Sequence, residues 1–470
     1  MSPGRYTLTV YGDCERRLTF ARGDWTIFAR PLVIVLTLSA LWASPVSVFA
    51  IGGRASPSCE RPPAGSVVIP PADLFSHGGA LSVDLDYVSS VDEAGRKLFC
   101  FITPGGLESP TLHVRPGDTL NIRLTNLVSR SSGDKTGTMA MSVGVAARCG
   151  AAAMDATSVN MHFHGVNTLP TCHADDVLHT LVNTGESFDY HVKFPRTQPP
   201  GLYWYHPHVH GQSEQAVKGG ASGAIVVDGI ENLRPDVAGL PERTLIVRDQ
   251  TVAGNPTPGG AIPTSDVTLN YVPIAYPALI PAVIGIKPGR REFWRVLNAS
   301  AETVLDIALA YDGVDQPLDV VGLDGVPTGS RDGTSAGKAL TMSHILIPAA
   351  GRAEFIIDGP SEKVERASLV TRSIAMGPDG DTDTARTLAR LKVDRSRVAV
   401  ATRTMPKVSA PAPARRESSD GLDSAAITVR RNLYFSEVLL DPYDPGSQSK
   451  YFITVDGATP RAFNPTAPRP

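Results

Sequence analysis

"VRPGDTLNIRLTN", Val114 to Asn126, recurs 172 residues later as "IKPGRREFWRVLNAS", Ile286 to Ser300. Each copy runs a basic residue, a Pro-Gly pair, a few polar positions, and then alternating apolar residues. An arginine sits in register in both (Arg123, Arg295), and an asparagine closes both (Asn126, Asn298). Alternation marks a strand buried on one face, and the Pro-Gly before it marks a turn, so one structural unit occurs twice. Two homologous β domains are expected, with Arg123 and Arg295 in structural roles, their aliphatic stems lying along apolar surface.

The rest of the chain agrees with an all-β class. Its 470 residues suffice for two or three domains with separate cores. Glycine (43) and proline (39) are plentiful, and the apolar runs are short and rich in Val and Ile, which favours strands joined by turns. A net charge of −3 with no basic run gives no footprint for nucleic acid or for an anionic membrane surface.

The first domain is expected at 66–230, ending on "GASGAIVVDG". The second is expected at 231–400, opening on "RTLIVRDQ" and closing on "LARLKV". Residues 401–426 are Pro, Ala, Ser and charge, a linker by composition. Residues 427–470, with "ITVRRNLYFSEVLL" and "KYFITVDGATPRAFNP", read as the start of a third unit, and no third Pro-Gly strand appears before Pro470.

Upstream, "LVIVLTLSALWASPVSVFA", Leu32 to Ala50, follows Arg22 and Arg30 and ends in small residues. Residues 1–50 are read as an export signal cleaved after Ala50, which places the mature protein in the periplasm or outside the cell with no stable membrane span; a membrane anchor is the alternative. Arg16 and Arg17 leave twin-arginine export open. Beyond Cys14, four cysteines remain, an even set suited to two disulfides in an exported chain. Three connectivities are open; the expectation is Cys149 with Cys172, flanking a histidine segment, and Cys59 with Cys100.

Chemistry concentrates in "NMHFHG" (Asn160 to Gly165) and "WYHPHVHG" (Trp204 to Gly211). Alternate strand residues share a face, so His162 and His164 form one set and His206, His208 and His210 another. Pro207 cannot donate to a ladder, which places the second segment at a strand end or sheet edge. A single His-X-His pair occurs by chance; two such segments, both ending in His-Gly, point to a metal. Without a Cys-X-X-Cys the zinc pattern is missing, and a histidine-rich site on β domains leans to copper. Trp204 and Tyr205 are expected in the domain core.

At these motifs the chain resembles the multicopper oxidases, the group that includes laccases and bacterial copper oxidases. "VNMHFHGVNTLPTCHADDVL" and "QPPGLYWYHPHVHGQSEQAVKGGASGAIVVDG" are similar to the family's amino-terminal cupredoxin domain, and the pattern spans roughly residues 80 to 395. The resemblance implies tandem cupredoxin-like Greek-key β-sandwiches, two complete and a third begun. It implies His162 as a type 2 copper ligand and His164, His206 and His208 as type 3 ligands, with His210 outside the ligand set. Asp175 corresponds to an acidic residue that orients water and delivers protons near the type 2 copper; a solvated loop acid beside Asp176 is the plainer reading. The family reaction takes single electrons from a small reducing substrate, a phenol or a metal ion, and reduces O2 to water.

The family also needs a type 1 copper held by a His-Cys-His motif. No His-Cys-His occurs, no cysteine follows Cys172, and His344 is the one histidine after Gly211. Half of a trinuclear site is therefore expected, the type 1 site is expected to be absent, and the polypeptide is expected to be inactive as written, with truncation the simplest account. The rival reading is a secreted copper-binding cupredoxin protein without turnover. A two-domain oxidase or nitrite reductase is disfavoured, since those chains carry their own type 1 cysteine.

Overall fold

A computed structural model describes residues 58–129, 149–150, 153–253, 265–375, 382–393, 403–405, 426–427, 429–430, 432–439 and 449–455, and the single positions 263 and 459. The export signal expected at 1–50 and most of the linker expected at 401–426 lie outside them. The described residues belong to one compact unit, Pro57–Pro470.

The two copies of the opening motif become equivalent strands. Thr119–Asn126 runs parallel to Ala80–Val91 and antiparallel to Ser187–Lys193; Arg291–Asn298 runs parallel to Pro241–Thr251 and antiparallel to Arg352–Asp358. Each is preceded by a turn glycine in the left-handed region, Gly117 at φ 96° and Gly289 at φ 60°, where a side chain would be strained. The closing asparagines do the same work. Asn126 Nδ2 donates to the carbonyls of Thr157 and Val182, and Asn298 Nδ2 to those of Thr303, Ile347 and Pro348, each tying the strand's end to a distant loop from a fully buried position.

Around the first copy, a four-stranded sheet (order Lys97–Ile102, Ala80–Val91, Thr119–Asn126, Ser187–Lys193) faces a five-stranded one (Asp73–Phe75, Thr111–Val114, Gly223–Val227, Gly201–His206, His162–His164). Their inner faces share a core of Leu85, Phe101, Leu112, Ile122, Phe163, Tyr205 and Ile225 among others. Around the second copy, a nine-stranded and a six-stranded sheet enclose Leu245, Ile284, Trp294, Leu309, Phe355 and Leu369. The described residues thus build two β-sandwiches, in keeping with the all-β class that the alternation implies.

The halves are laced together. Val68 N donates to Val283 O and Val283 N to Ser66 O, so the stretch leading into the first sandwich pairs with the second. Arg403–Thr404, within the expected linker, pairs antiparallel with Pro241–Glu242. Leu202, Trp204, Ala224 and Val226 on the outer face of the five-stranded sheet pack on Ile246, Leu297 and Ala299. Both expected disulfides form, Cys59–Cys100 and Cys149–Cys172. Ser449–Val455 pairs with Leu433–Leu439 as an antiparallel hairpin in the stretch read as a third unit.

The arginines of the repeat correct the sequence reading, since charge rather than stem length explains them. Arg123 is exposed and pairs with Asp189 at 2.9 Å. Arg295 is fully buried between the carboxylates of Glu242 and Glu354.

Candidate metal centre

The histidines lie where the five-stranded sheet reaches its free edge. His162–His164 is the edge strand, in register with the end of its neighbour: Trp204 opposite His164, Tyr205 opposite Phe163, His206 opposite His162. Strand parity then sorts the side chains. Phe163, Tyr203 and Tyr205 turn into the sandwich core, while His162, His164, Trp204 and His206 share the outer face. Trp204 is buried as expected from sequence, but in the cluster between the sandwiches rather than inside the first one, and its ring stacks on His206 at 4.0 Å and on His164 at 5.1 Å. Pro207 ends the strand, as its missing N–H dictates. The chain turns there, so His208 enters from the loop, its ring 5.1 Å from that of His162 and 5.8 Å from that of His206. His210 is exposed and shows no ring contact with the other four. Four imidazoles gather and the fifth stays apart.

Hydrogen bonds fix which ring nitrogens are free. Asp175 accepts from His162 Nδ1 at 2.9 Å and from the Phe163 backbone N–H at 3.0 Å, which leaves the His162 Nε2 lone pair outward. His206 Nδ1 donates to Pro207 O at 2.9 Å, again freeing Nε2. That Nε2 lies 3.4 Å from His164 Nδ1, and one donor atom from each of His162, His164 and His206 falls within 4.8 Å of the others. Donor nitrogens gathered this closely face a common space suited to metal ligation.

Asn160 holds the loop side. Its Oδ1 accepts from His208 N at 2.7 Å, while its Nδ2 donates to Val177 O and Thr180 O, so one buried amide ties the His208 loop to the Asp175 loop. The Cys149–Cys172 disulfide pins the far end of that second loop. Asp176 turns aside to His179.

Electrostatics keep the rings in the ligating form. Burial, then the Arg352 charge and the neighbouring rings, pushes His164 down to about 3. Burial, then His162, holds His206 well below the ordinary imidazole value, and the same causes lower His208. A neutral imidazole offers a lone pair, so three clustered rings are poised for a cation. The donor set, all nitrogen with one carboxylate behind it, fits copper.

Residues 153–232, which carry all four rings and Asp175, match the multicopper oxidase family model. The histidine-bearing segment is of the multicopper oxidase family. No curated protein matches the chain. Among solved structures, the McoA multicopper oxidase of the hyperthermophile Aquifex aeolicus aligns with 76% of this chain and 70% of its own, at TM-score 0.52 and 16% identity. The 2F4 variant of that protein aligns with 72% and 68%, at 0.51 and 17%. At such identity the likeness is one of fold, and the fold is that of multicopper oxidases.

Sequence spacing singled out all four clustered histidines, and the family resemblance singled out Asp175. It missed Asn160, although that residue opens the quoted motif, and it missed Arg352 and Glu354, whose strand meets this one only in the folded chain. His344 lies apart, bound to Asp306 on the second sandwich.

Proposed function

We propose that the chain is an exported multicopper oxidase polypeptide of the laccase type, and that it furnishes one wall of a copper cluster. His162 would hold the type 2 copper, and His164, His206 and His208 the type 3 pair. The observation that carries this reading is the gathering of four imidazoles, three on one sheet face and His208 from the loop beyond it, with Asp175 behind His162. Bound copper would supply one-electron redox chemistry between O2 and a small reducing substrate, a phenol or a metal ion. The protein's part is to hold His164, His206 and His208 neutral, to fix the His162 tautomer through Asp175 Oδ1, and to keep that carboxylate, 14% exposed, with Oδ2 as a station for protons. Cys59, Cys100, Cys149 and Cys172 are spent in disulfides, so none of them offers the thiolate of a type 1 site.

The test is copper uptake by the purified chain. Wild type should bind Cu(II) without intense blue colour, and the double substitution His162→Ala, His208→Ala should abolish tight binding. Unchanged stoichiometry in the double variant would overturn the ligand assignment, and a blue band would overturn the claim that no type 1 site forms.

A further inference from the structure

Strand Gly201–His206, which carries Trp204 and His206, is hydrogen-bonded along one side by Gly223–Val227. On its other side the short strand His162–His164 covers Trp204 to His206 alone. Leu202 lies beyond that strand's reach, and a buried backbone N–H and C=O there need partners. The second sandwich supplies both with side chains. Leu202 N donates to Glu354 Oε2 at 3.0 Å, and Arg352 Nε donates to Leu202 O at 3.3 Å. Arg352 and Glu354 are two apart on Arg352–Asp358, so their side chains leave the same face.

Arg352 is fixed in turn. Its Nη1 donates to Ala350 O and its Nη2 to Asp324 O, both at 3.0 Å, and its guanidinium carbon lies 5.9 Å from the centre of the Tyr203 ring. Tyr203 Oη donates to Gly325 O at 2.9 Å, a further bond from the same strand into the second sandwich. The guanidinium ends against Gly165, the residue that follows His164. A Cβ on Gly165 would stand 2.6 Å from Arg352 Nη2 and 3.1 Å from the Tyr203 ring, and Gly165 has φ 83°. The glycine closing "HFHG" thus makes room for an arginine from the other sandwich.

We infer that Arg352 is a positioning residue of the histidine wall: from the second sandwich it stops the edge strand at His164–Gly165 and fixes that corner against strand Gly201–His206. This rests on the copper reading for its consequence but not for its geometry. A guanidinium bound to three carbonyls in fixed directions sets a position, whereas a bare positive charge beside the site would only repel a cation. The two roles predict opposite outcomes.

Full-length wild type, Arg352→Gln, Arg352→Lys and Gly165→Ala would be titrated with Cu(II), with electron paramagnetic resonance of each loaded form. Positioning predicts that all three variants bind Cu(II) at least tenfold more weakly and replace one copper spectrum with a mixture. A charge role alone predicts tighter binding in Arg352→Gln and wild-type behaviour in Arg352→Lys, and that overturns the inference. Folded variants with wild-type affinity and spectrum overturn it as well. Gly165→Ala leaves every Arg352 acceptor in place, so wild-type affinity and spectrum in that variant overturn the inference even if the Arg352 variants do not fold. Copper-free protein labelled with 15N-histidine separates this inference from the copper reading. The His164 ring signals should split or move in all three variants, Arg352→Lys included, while those of His191 on the opposite sheet stay. If wild type binds no copper, the copper reading fails and the nuclear resonance arm still decides Arg352.

Discussion

Asp175 shows how one side chain sets the chemistry of another. Its Oδ1 takes hydrogen bonds from His162 Nδ1 and from the backbone of Phe163, so the carboxylate both selects the ring tautomer and anchors the strand that carries it. Asp175→Asn keeps the shape but can present an N–H to Nδ1, which would turn the ring's proton to Nε2, the atom that faces the other histidines. The expected result is a 10- to 100-fold loss of Cu(II) affinity, in the range typical for partners behind a metal ligand, with little change in melting temperature. Isothermal titration beside a thermal melt measures both, and an unchanged affinity would return Asp175 to the role of a solvated loop acid. The sequence named Asp175 through resemblance; only the fold brings its oxygen to His162, across a loop whose course no local pattern specifies.

At the scale of the strand, legibility followed periodicity. The alternation in both copies of the opening motif, the Pro-Gly turns and the break at Pro207 are local constraints, and each appears in the structure where the sequence puts it. Trp204 is buried as expected but not in the same core as Tyr205, and parity already gave the reason: it is two residues before His206, so a strand that turns His206 away from the sandwich core turns Trp204 the same way. The contacts that could not be read are those between strands far apart in sequence, such as Leu202 with Arg352 and Glu354, where nothing local to either partner announces the other. The equivalence of the two copies extends to energetics. Asn126→Ala leaves Thr157 O without its amide donor and frees the Val128 N–H, while Val182 O keeps Val159 N; Asn298→Ala takes the amide donor from Thr303 O and Ile347 O, while Pro348 O keeps Gly351 N. Each should cost about 2–3 kcal/mol, since buried groups left unpaired are expensive. Denaturant melts of the two variants should show losses of similar size; a neutral substitution at either position would break the equivalence.

Across the whole molecule, buried charge couples the two sandwiches. His113, almost fully buried, lies between Asp73 Oδ1 at 3.2 Å and Asp228 Oδ1 at 3.0 Å, with its ring stacked on Phe75 at 4.5 Å. Arg403 reaches over Phe75 to Asp228 at 3.8 Å and to Glu242 at 2.7 Å, and Glu242 shares Arg295 with Glu354, which grips Leu202. Signs alternate along this path from the edge of the first sandwich to the histidine strand. Burial alone would push His113 down, but Asp228, then Asp73 and more distant Glu242, outweigh it and leave the imidazole above its ordinary value; the Arg403 charge opposes them. A histidine raised by folding contributes stability that is complete below its unfolded value near 6.5 and fades as pH climbs through the higher folded value, about 1.4 kcal/mol for each pKa unit of the rise. The chain should therefore lose melting temperature through this group as pH rises above about 6.5. In His113→Asn that part of the alkaline loss should vanish, and the variant should already be less stable than wild type at pH 6, because two half-buried carboxylates have lost the cation between them. Paired thermal melts across that range decide it, and a wild-type pH slope retained by His113→Asn would show that the imidazole does not carry the charge that joins Asp73 to Asp228.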